Sequence, residues 1–292
     1  MRDSVILTRR LALAFLLPAG ALLFAFLVIP AVWSLLQGFT NFTLLGPDAL
    51  NLRFSGLSNY TRALTDPAFW NALKVSVLYV VGSAMIGQAG LGLLLAFLTH
   101  KARGWIPTTV RSLAVLAWIT PGVVVAILWN VYLHSGEGTL NRTLGLAGIP
   151  AVNWLFDRPI LAIILYNVWR GTAFSMLLFD AALRTIPVSY YEAASVSGAS
   201  GWRQFVDITL PLIRPQIATD LLLITLWTFN DFGPYLLTGG GPSFQTEVLP
   251  IYTYRVAFRS FELGYGAALS TLLLLINFAL AFLNLRQSRR RV

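Results

Sequence analysis

Runs of about twenty apolar residues recur along this chain, and they leave few folds open. A run of that length spans the hydrocarbon core of a bilayer as one α-helix. In lipid every backbone N–H and C=O must be bonded internally, which a helix achieves within itself. Six such runs lie at about 11–33, 75–98, 111–133, 160–182, 217–237 and 265–285. The predicted class is therefore all-α, a polytopic membrane protein with six transmembrane helices. Composition agrees: 57% of the 292 residues are hydrophobic and 11% are charged, against roughly a quarter charged in soluble domains. The opening "MRDSVILTRRLALAFLLPAGALLFAFLVIP" has a signal-like start. Its apolar run is too long for a signal core and no cleavage site follows, so it reads as a retained first span.

Basic residues set the orientation, because Lys and Arg stay on the cytoplasmic side. An even number of spans places both termini on one side. With them would lie Arg2, Arg9, Arg10, Lys101, Arg103, Arg111, Arg184, Arg203, Arg214, Arg286, Arg289, Arg290 and Arg291. The other side would hold Arg53, Arg62, Lys74, Arg142, Arg158, Arg255 and Arg259, spread over longer loops. The bias puts both termini and the loop after span four in the cytoplasm, the inverted topology being the alternative. Topology accounts for the net charge of +9 without a nucleic-acid partner. The chain divides into a first span with external loop (1–71), a transmembrane core (72–287) holding a polar loop (187–215), and a short tail (288–292).

Several chemistries are excluded. The chain has no cysteine, hence no disulfide, thiolate metal site or cysteine nucleophile. Neither lysine, Lys74 or Lys101, follows a glycine, so no phosphate-binding loop of the G-x-x-x-x-G-K type exists. His100 and His134 fall at opposite membrane faces and form no metal pair. No G-x-S-x-G elbow is present. The chain is expected to bind no cofactor and to be no enzyme by itself.

Polar groups inside spans are costly and point to function. In "ILYNVWRGTAFSMLLFDAAL" the residues Asn167, Arg170, Gly171 and Phe174 fall on one helical face. In "LLLITLWTFNDFGPYLL" the residues Trp227, Thr228 and Asp231 fall nearly on one face. Aromatic rings beside hydrogen-bonding groups suit a sugar, whose ring faces stack while its hydroxyls need donors and acceptors. An Arg170–Asp231 pair that only fixes helix register explains the same charges. In span two, Ser83/Gly87 and Gly92/Ala96 are small pairs four apart that permit close helix packing. Asp180, Asp220 and Asn277 also lie in or near spans, without an assigned role.

The loop "YYEAASVSGASGWRQFVDITLPLIRP" interrupts the apolar pattern. Ser189 and Glu192 have the spacing of a capping box, and Gly198 is placed to end a short helix in a left-handed turn. A second helix would run from Gly201 to about Ile208, stopped at Pro211, with Pro215 opening span five. The small residues Ala193, Ala194, Ser197, Gly198, Ala199 and Ser200 let another protein's surface approach. Downstream, "LLTGGGPSFQTE" reads as a tight exposed turn.

Glu192-Ala193-Ala194, Gly198-Ala199, Phe205, Ile208, Leu210-Pro211 and Pro215 resemble the EAA loop of binding-protein-dependent ABC transporter permeases. Ser197 stands where that family often has Asp. The resemblance extends to "GLSNY…DPAFWNALK", "WR…F…LRTIP" and "FNDFGPYLLTGGGP", and so from about residue 56 to the end. It is nearest the carbohydrate-uptake branch, the maltose and glycerol-3-phosphate permease type. The resemblance implies a type I ABC importer permease fold in a bacterial or archaeal cytoplasmic membrane. It implies a coupling helix that docks in a cytoplasmic ATPase, with Glu192, Ala193, Ala194, Gly198, Ala199, Leu210 and Pro211 at the contact. ATP and Mg would sit on two partner ATPase subunits, beside a second homologous permease, an external solute-binding protein and membrane lipid. For a transported sugar, a di- or oligosaccharide, it implies contacts at Asn167, Arg170, Gly171, Phe174, Trp227, Thr228 and Asp231. Maltose-type relatives have neutral residues where Arg170 and Asp231 stand, which leaves open a different sugar or a mutual pair. Glycerol-3-phosphate or another anionic solute is the rival inside the family. A stand-alone secondary transporter is the rival outside it.

Overall fold

The computed structural model describes residues 9–100, 102 and 104–289. Arg2, Lys101, Arg103, Arg290 and Arg291 of the predicted cytoplasmic set lie outside the described residues, as do the side chains of Arg9, Arg10 and Arg289. Among the described residues the chain is helical and has no strand beyond one isolated bridge, Thr40 to Phe54. In chain order the helices of six residues or more are α1 (Ala14–Gln37), α2 (Ser58–Thr65), α3 (Pro67–His100), α4 (Trp105–Ile119), α5 (Gly122–Tyr132), α6 (Thr139–Leu146) and α7 (Pro159–Arg184). There follow α8 (Val188–Val196), α9 (Gly201–Leu212), α10 (Arg214–Phe229), α11 (Gly233–Thr238), α12 (Leu249–Tyr254) and α13 (Leu263–Arg289). Four helices, α1, α3, α7 and α13, are long and apolar enough to cross a membrane, and two bent pairs bring the number to six.

Bends and breaks correct three expectations. Span three is not one helix but α4 and α5, bent by 107°. Pro121 has no N–H to give and drives Thr120 to an extended ψ of 131°. Span five is likewise interrupted: α10 stops at Phe229 and α11 begins at Gly233. Pro234 cannot donate to Asn230, and the Asp231 carboxylate takes the Gly233 N–H instead, at 3.1 Å. Before α10 the chain bends by 67°. The bend falls at Ile213 rather than at Pro211, which lies inside α9. Pro215, in the first turn of α10, lacks the N–H that would have bonded the Pro211 carbonyl.

One compact unit holds the residues up to Asp66 together with Thr253–Leu274. Its helix α1 exposes Phe15, Leu16, Leu22 and Phe26, the surface of a helix solvated by lipid. The loop after α1 is pinned by Asn59, which donates to the carbonyls of Gly38 and Thr40 at 3.0 and 2.8 Å. Arg62 pairs with Glu262 and lies 4.0 Å over the Tyr265 ring.

The second unit holds Pro67–Tyr252 and the chain after Leu275. Here α7 is the central helix and α3 lies along it. Lipid tails give apolar helices no reason to associate, so packing depends on close approach. A side chain at Gly82 would meet Ile164, one at Gly87 would meet Val168, and one at Gly92 would lie 2.6 Å from the Ser175 Cβ. The small residues of α3 thus form its seam with α7, as their spacing predicts. The seam widens into π-helical turns over Val80–Gln88, which carry Gln88 under Gly171. Two apolar clusters close the ends. Val75, Tyr79, Val125, Ile163, Tyr166 and Val248 form one, and Ala96, Met176, Phe179, Leu183, Ile186 and Ile213 the other.

Candidate substrate cavity and coupling loop

Both breaks in the second unit open onto one cavity. It measures about 180 Å³ and is lined by Gln88, Trp118, Asn167, Arg170, Gly171, Ile224, Trp227, Thr228 and Asp231. Six of the seven residues read from the sequence are among these. The seventh, Phe174, stands behind them and meets Trp227 edge-on at 4.7 Å and Trp118 at 5.9 Å. The α7 face is as expected. The α10 face is not, because the helix ends at Phe229 and Asp231 lies in the break, its N–H donating to the Thr228 carbonyl at 3.1 Å.

Asp231 is the most densely bonded of these groups. One oxygen accepts from the Tyr79 hydroxyl at 2.8 Å. The other accepts from the Gly233 N–H and from Arg170 Nη1 at 3.4 Å. The pair is unequal in access, Arg170 being 33% exposed and Asp231 16%. Asn167 is buried and donates to Ser83 Oγ at 2.7 Å and Thr228 Oγ1 at 3.3 Å, tying α3, α7 and α10 together. Gln88 donates to the Asn167 carbonyl at 3.2 Å, and Gly171 leaves it the space to do so: a Cβ there would collide with its amide. The arrangement offers an aromatic wall, amide and hydroxyl groups, and a charged pair whose formal charges cancel.

The sequence reading missed Gln88, Trp118 and Tyr79. Gln88 stood in the quoted α3 stretch as an amide among apolar residues, and that was the available signal. Trp118 reaches the cavity only because α4 ends beside it.

In the polar loop, α8 carries Glu192 exposed, Ala193 exposed and Ala194 half-buried. Gly198 has φ +76° and ends the helix, as expected, with the Ala199 N–H returning to the Ala194 carbonyl at 2.9 Å. The capping box is not formed. The helix starts at Val188 after Pro187, so Ser189 already lies in the first turn. The serine that caps a helix here is Ser200, which accepts the Arg203 N–H at 3.4 Å at the start of α9. Tyr191 and Thr209 share a hydroxyl hydrogen bond of 2.9 Å, and Gln204 donates to Ser195 Oγ at 3.0 Å. The two helices are thus held as one block. Leu210 is half-buried and Pro211 exposed. Val188, Tyr190, Val196 and Trp202 leave large apolar surfaces uncovered.

A multi-pass helical protein with a polar cavity at two broken helices and an exposed helical block has the architecture that a transport protein needs. Residues 88–292 match the sequence profile of the binding-protein-dependent transport system inner membrane component family. The chain belongs to that family: it is an inner-membrane permease subunit of an ABC transport system and no enzyme by itself. Among curated relatives, the inner membrane ABC transporter permease protein YcjO of Escherichia coli K12 is 36% identical over 248 residues, covering 82% of this chain and 80% of that one. The sulfoquinovosyl glycerol transport system permease protein SmoG of Agrobacterium fabrum is 32% identical, covering 97% and 92%. The trehalose/maltose transport system permease protein MalF of Thermococcus litoralis is 31% identical, covering 96% and 95%. A chain of a bacterial alginate ABC transporter, crystallised with an alginate pentasaccharide-bound periplasmic protein, superimposes with a TM-score of 0.81. It covers 96% of this chain and 94% of that one at 24% identity, a likeness of fold.

Proposed function

We propose that this chain is the permease subunit of an ATP-driven importer for a sugar, a di- or oligosaccharide, and that both its termini are cytoplasmic. The observation that carries the substrate class is the cavity. Trp227, Trp118 and Phe174 form an aromatic wall beside Asn167, Thr228, Arg170 and Asp231. Sugar rings stack on such walls and their hydroxyls exchange hydrogen bonds with such groups. A cavity of about 180 Å³ lies below the usual range for a small-molecule site, which starts near 300 Å³. A second, homologous permease would enlarge it, and an external solute-binding protein would deliver the sugar. The names of relatives that transport trehalose/maltose, sulfoquinovosyl glycerol and lactose support the same class.

The energy comes from two partner ATPase subunits, which hold the ATP and Mg. Their docking surface is the α8–α9 block, with Glu192, Ala193, Ala194, Gly198 and Ala199 at the contact and Leu210-Pro211 at its base. Closure of the ATPases moves this block, and α7 and α10 with it, so that the cavity opens outward. A second reading, an anionic solute, is favoured by one observation: of the two charges that line the cavity, Arg170 is the more exposed. Co-expression with the partner subunits, purification and reconstitution in liposomes test both. ATP-dependent uptake of a neutral oligosaccharide supports the first reading, and uptake confined to acidic sugars or glycerol phosphates supports the second. Uptake by the lone chain driven by an ion gradient would refute both.

A further inference from the structure

Away from the cavity, one buried carboxylate gathers basic side chains from two other helices. Asp180, on α7 and 12% exposed, accepts from Arg111 of α4 at 3.1 Å on one oxygen. On the other it accepts from Arg184 of its own helix through Nε at 3.1 Å and Nη2 at 3.0 Å. His100 Nδ1, at the end of α3, stands 3.8 Å away. Arg111 Nη2 also donates to the Thr99 carbonyl at 2.9 Å. The three helices α3, α4 and α7 are therefore locked at one level by charge-assisted hydrogen bonds, which are short, directional and costly to break when buried.

What lies at each end of this lock gives it a purpose. Arg111 and Trp118 are seven residues apart on α4, two turns and about 10 Å, and so share one face. Arg111 meets α7 at Asp180, and Trp118 meets α7 at Phe174 and lines the cavity. Just beyond Trp118 comes the 107° bend, where Gly122 lies against the Arg170 guanidinium. In the other direction α7 ends at Arg184, and α8, which carries Glu192, begins at Val188. Ile186 is buried in the cluster of Met176, Phe179 and Leu183, and Tyr191 of α8 packs against it. A displacement of α8 therefore reaches the base of α7 through packed side chains. From there the Asp180 lock is the polar link to α4.

Resting on the importer function proposed above, we propose that Asp180 is a positioning residue of the transport cycle. It clamps α4 to the base of α7, so that movement of the α8–α9 block is delivered to Trp118 and the bend at Pro121. Arg184 serves as an internal control, because its bond to Asp180 stays within α7 and joins no second helix.

The complete complex, assembled with its partner subunits in nanodiscs, tests this. The chain has no cysteine, so Ile119→Cys and Asn230→Cys are the sole thiols of this subunit and accept spin labels cleanly once the partner subunits are made cysteine-free. In the otherwise unchanged complex, MgATP with vanadate should shift the distance between the labels. Asp180→Asn and Arg111→Gln should each keep assembly and basal ATP hydrolysis and lose the shift. Their stimulation by sugar-loaded binding protein, probed with maltose, trehalose and lactose, should fall by roughly 5- to 150-fold, the usual range of a coupling between sites. The double variant should be no worse than either single one, and Arg184→Gln should keep the shift. Should Asp180→Asn fail to assemble, Arg111→Gln carries the test. A full shift in Arg111→Gln, or its loss in Arg184→Gln, overturns the proposal. An unchanged complex that hydrolyses ATP without any shift overturns the proposed function, and this inference with it.

Discussion

Neutralising Asp231 should destabilise the protein more than neutralising Arg170, and the two changes together should cost less than their sum. Arg170 and Asp231 approach to 3.4 Å. At an effective dielectric of about 20 a unit pair at that distance is worth about 5 kcal/mol. Water at the one-third exposed guanidinium screens this, which brings the loss on breaking the pair to about 2–4 kcal/mol. The asymmetry comes from the other partners. With Arg170→Gln, the carboxylate keeps the Tyr79 hydroxyl and the Gly233 N–H as donors, so the cost should be about 2 kcal/mol, the low end of that range. With Asp231→Asn, the guanidinium loses its carboxylate while the amide competes for the same two donors, and the cost should be about 3–4 kcal/mol. The double variant has no buried charge left to compensate, and should recover about 2 kcal/mol of the sum. Thermal unfolding of the purified protein in detergent reads this as midpoint shifts of about 2–4 °C per kcal/mol. Equal shifts for the two single variants, adding within about 0.5 kcal/mol in the double, would show that the charges do not act as a pair.

Other consequences follow from the same geometry. Trp227→Ala removes one side of the aromatic wall, and should raise the KM for sugar uptake roughly 3- to 10-fold while leaving basal ATP hydrolysis of the complex unchanged. Glu192→Lys should leave the purified complex assembled and separate ATP hydrolysis from uptake, which parallel assays in proteoliposomes would measure. Gly198→Val forces a branched side chain into φ +76°, a strain of about 1–2 kcal/mol; it should disturb coupling without lowering the yield of folded protein, although nothing crowds the position. Gly92→Leu pushes against the Ser175 Cβ at 2.6 Å and the Met176 backbone at 2.9 Å. Because backbone cannot move aside, it should cost about 3 kcal/mol or more and reduce the amount of folded protein recovered from membranes.

Much of this was legible because membrane sequences are written in few terms. Hydropathy located the spans, the spacing of Ser83/Gly87 and Gly92/Ala96 marked a close-packing face of α3 without naming its partner, and the period of α7 placed Asn167, Arg170 and Gly171 on one face. What hydropathy could not show was where a span breaks. Thr120-Pro121 and Asn230-Asp231 sit within runs apolar enough to read as continuous, and periodicity assumes a helix that has already ended by Asp231. The capping error has a similar cause. Ser189 has the spacing of a capping box, but Pro187 stands at the cap and α8 starts at Val188, so Ser189 is already inside the helix; Ser200, with Arg203 three residues on, carries no such spacing to mark it. Gln88 was missed because its contact with α7 depends on the widened turns over Val80–Gln88, a register shift with no mark in composition.

The breaks and the charges explain each other. Backbone that leaves helical form at membrane depth must find partners inside the protein, because lipid offers none. At the α10–α11 break the free Gly233 N–H is taken by Asp231, so the break requires an acceptor at that position. A carboxylate there in turn requires compensation, which Tyr79 and Arg170 supply from α3 and α7. Arg170 then fills the space left where α4 turns into α5 at Pro121, beside Gly122. Neither charge is an ornament on a finished helix bundle. Asp231 satisfies the irregular backbone at the break, Arg170 compensates Asp231, and both line the cavity that the break creates. A substitution that straightened α10, such as one replacing Gly233-Pro234 with helix formers, would remove the need for Asp231 and close the cavity in the same step.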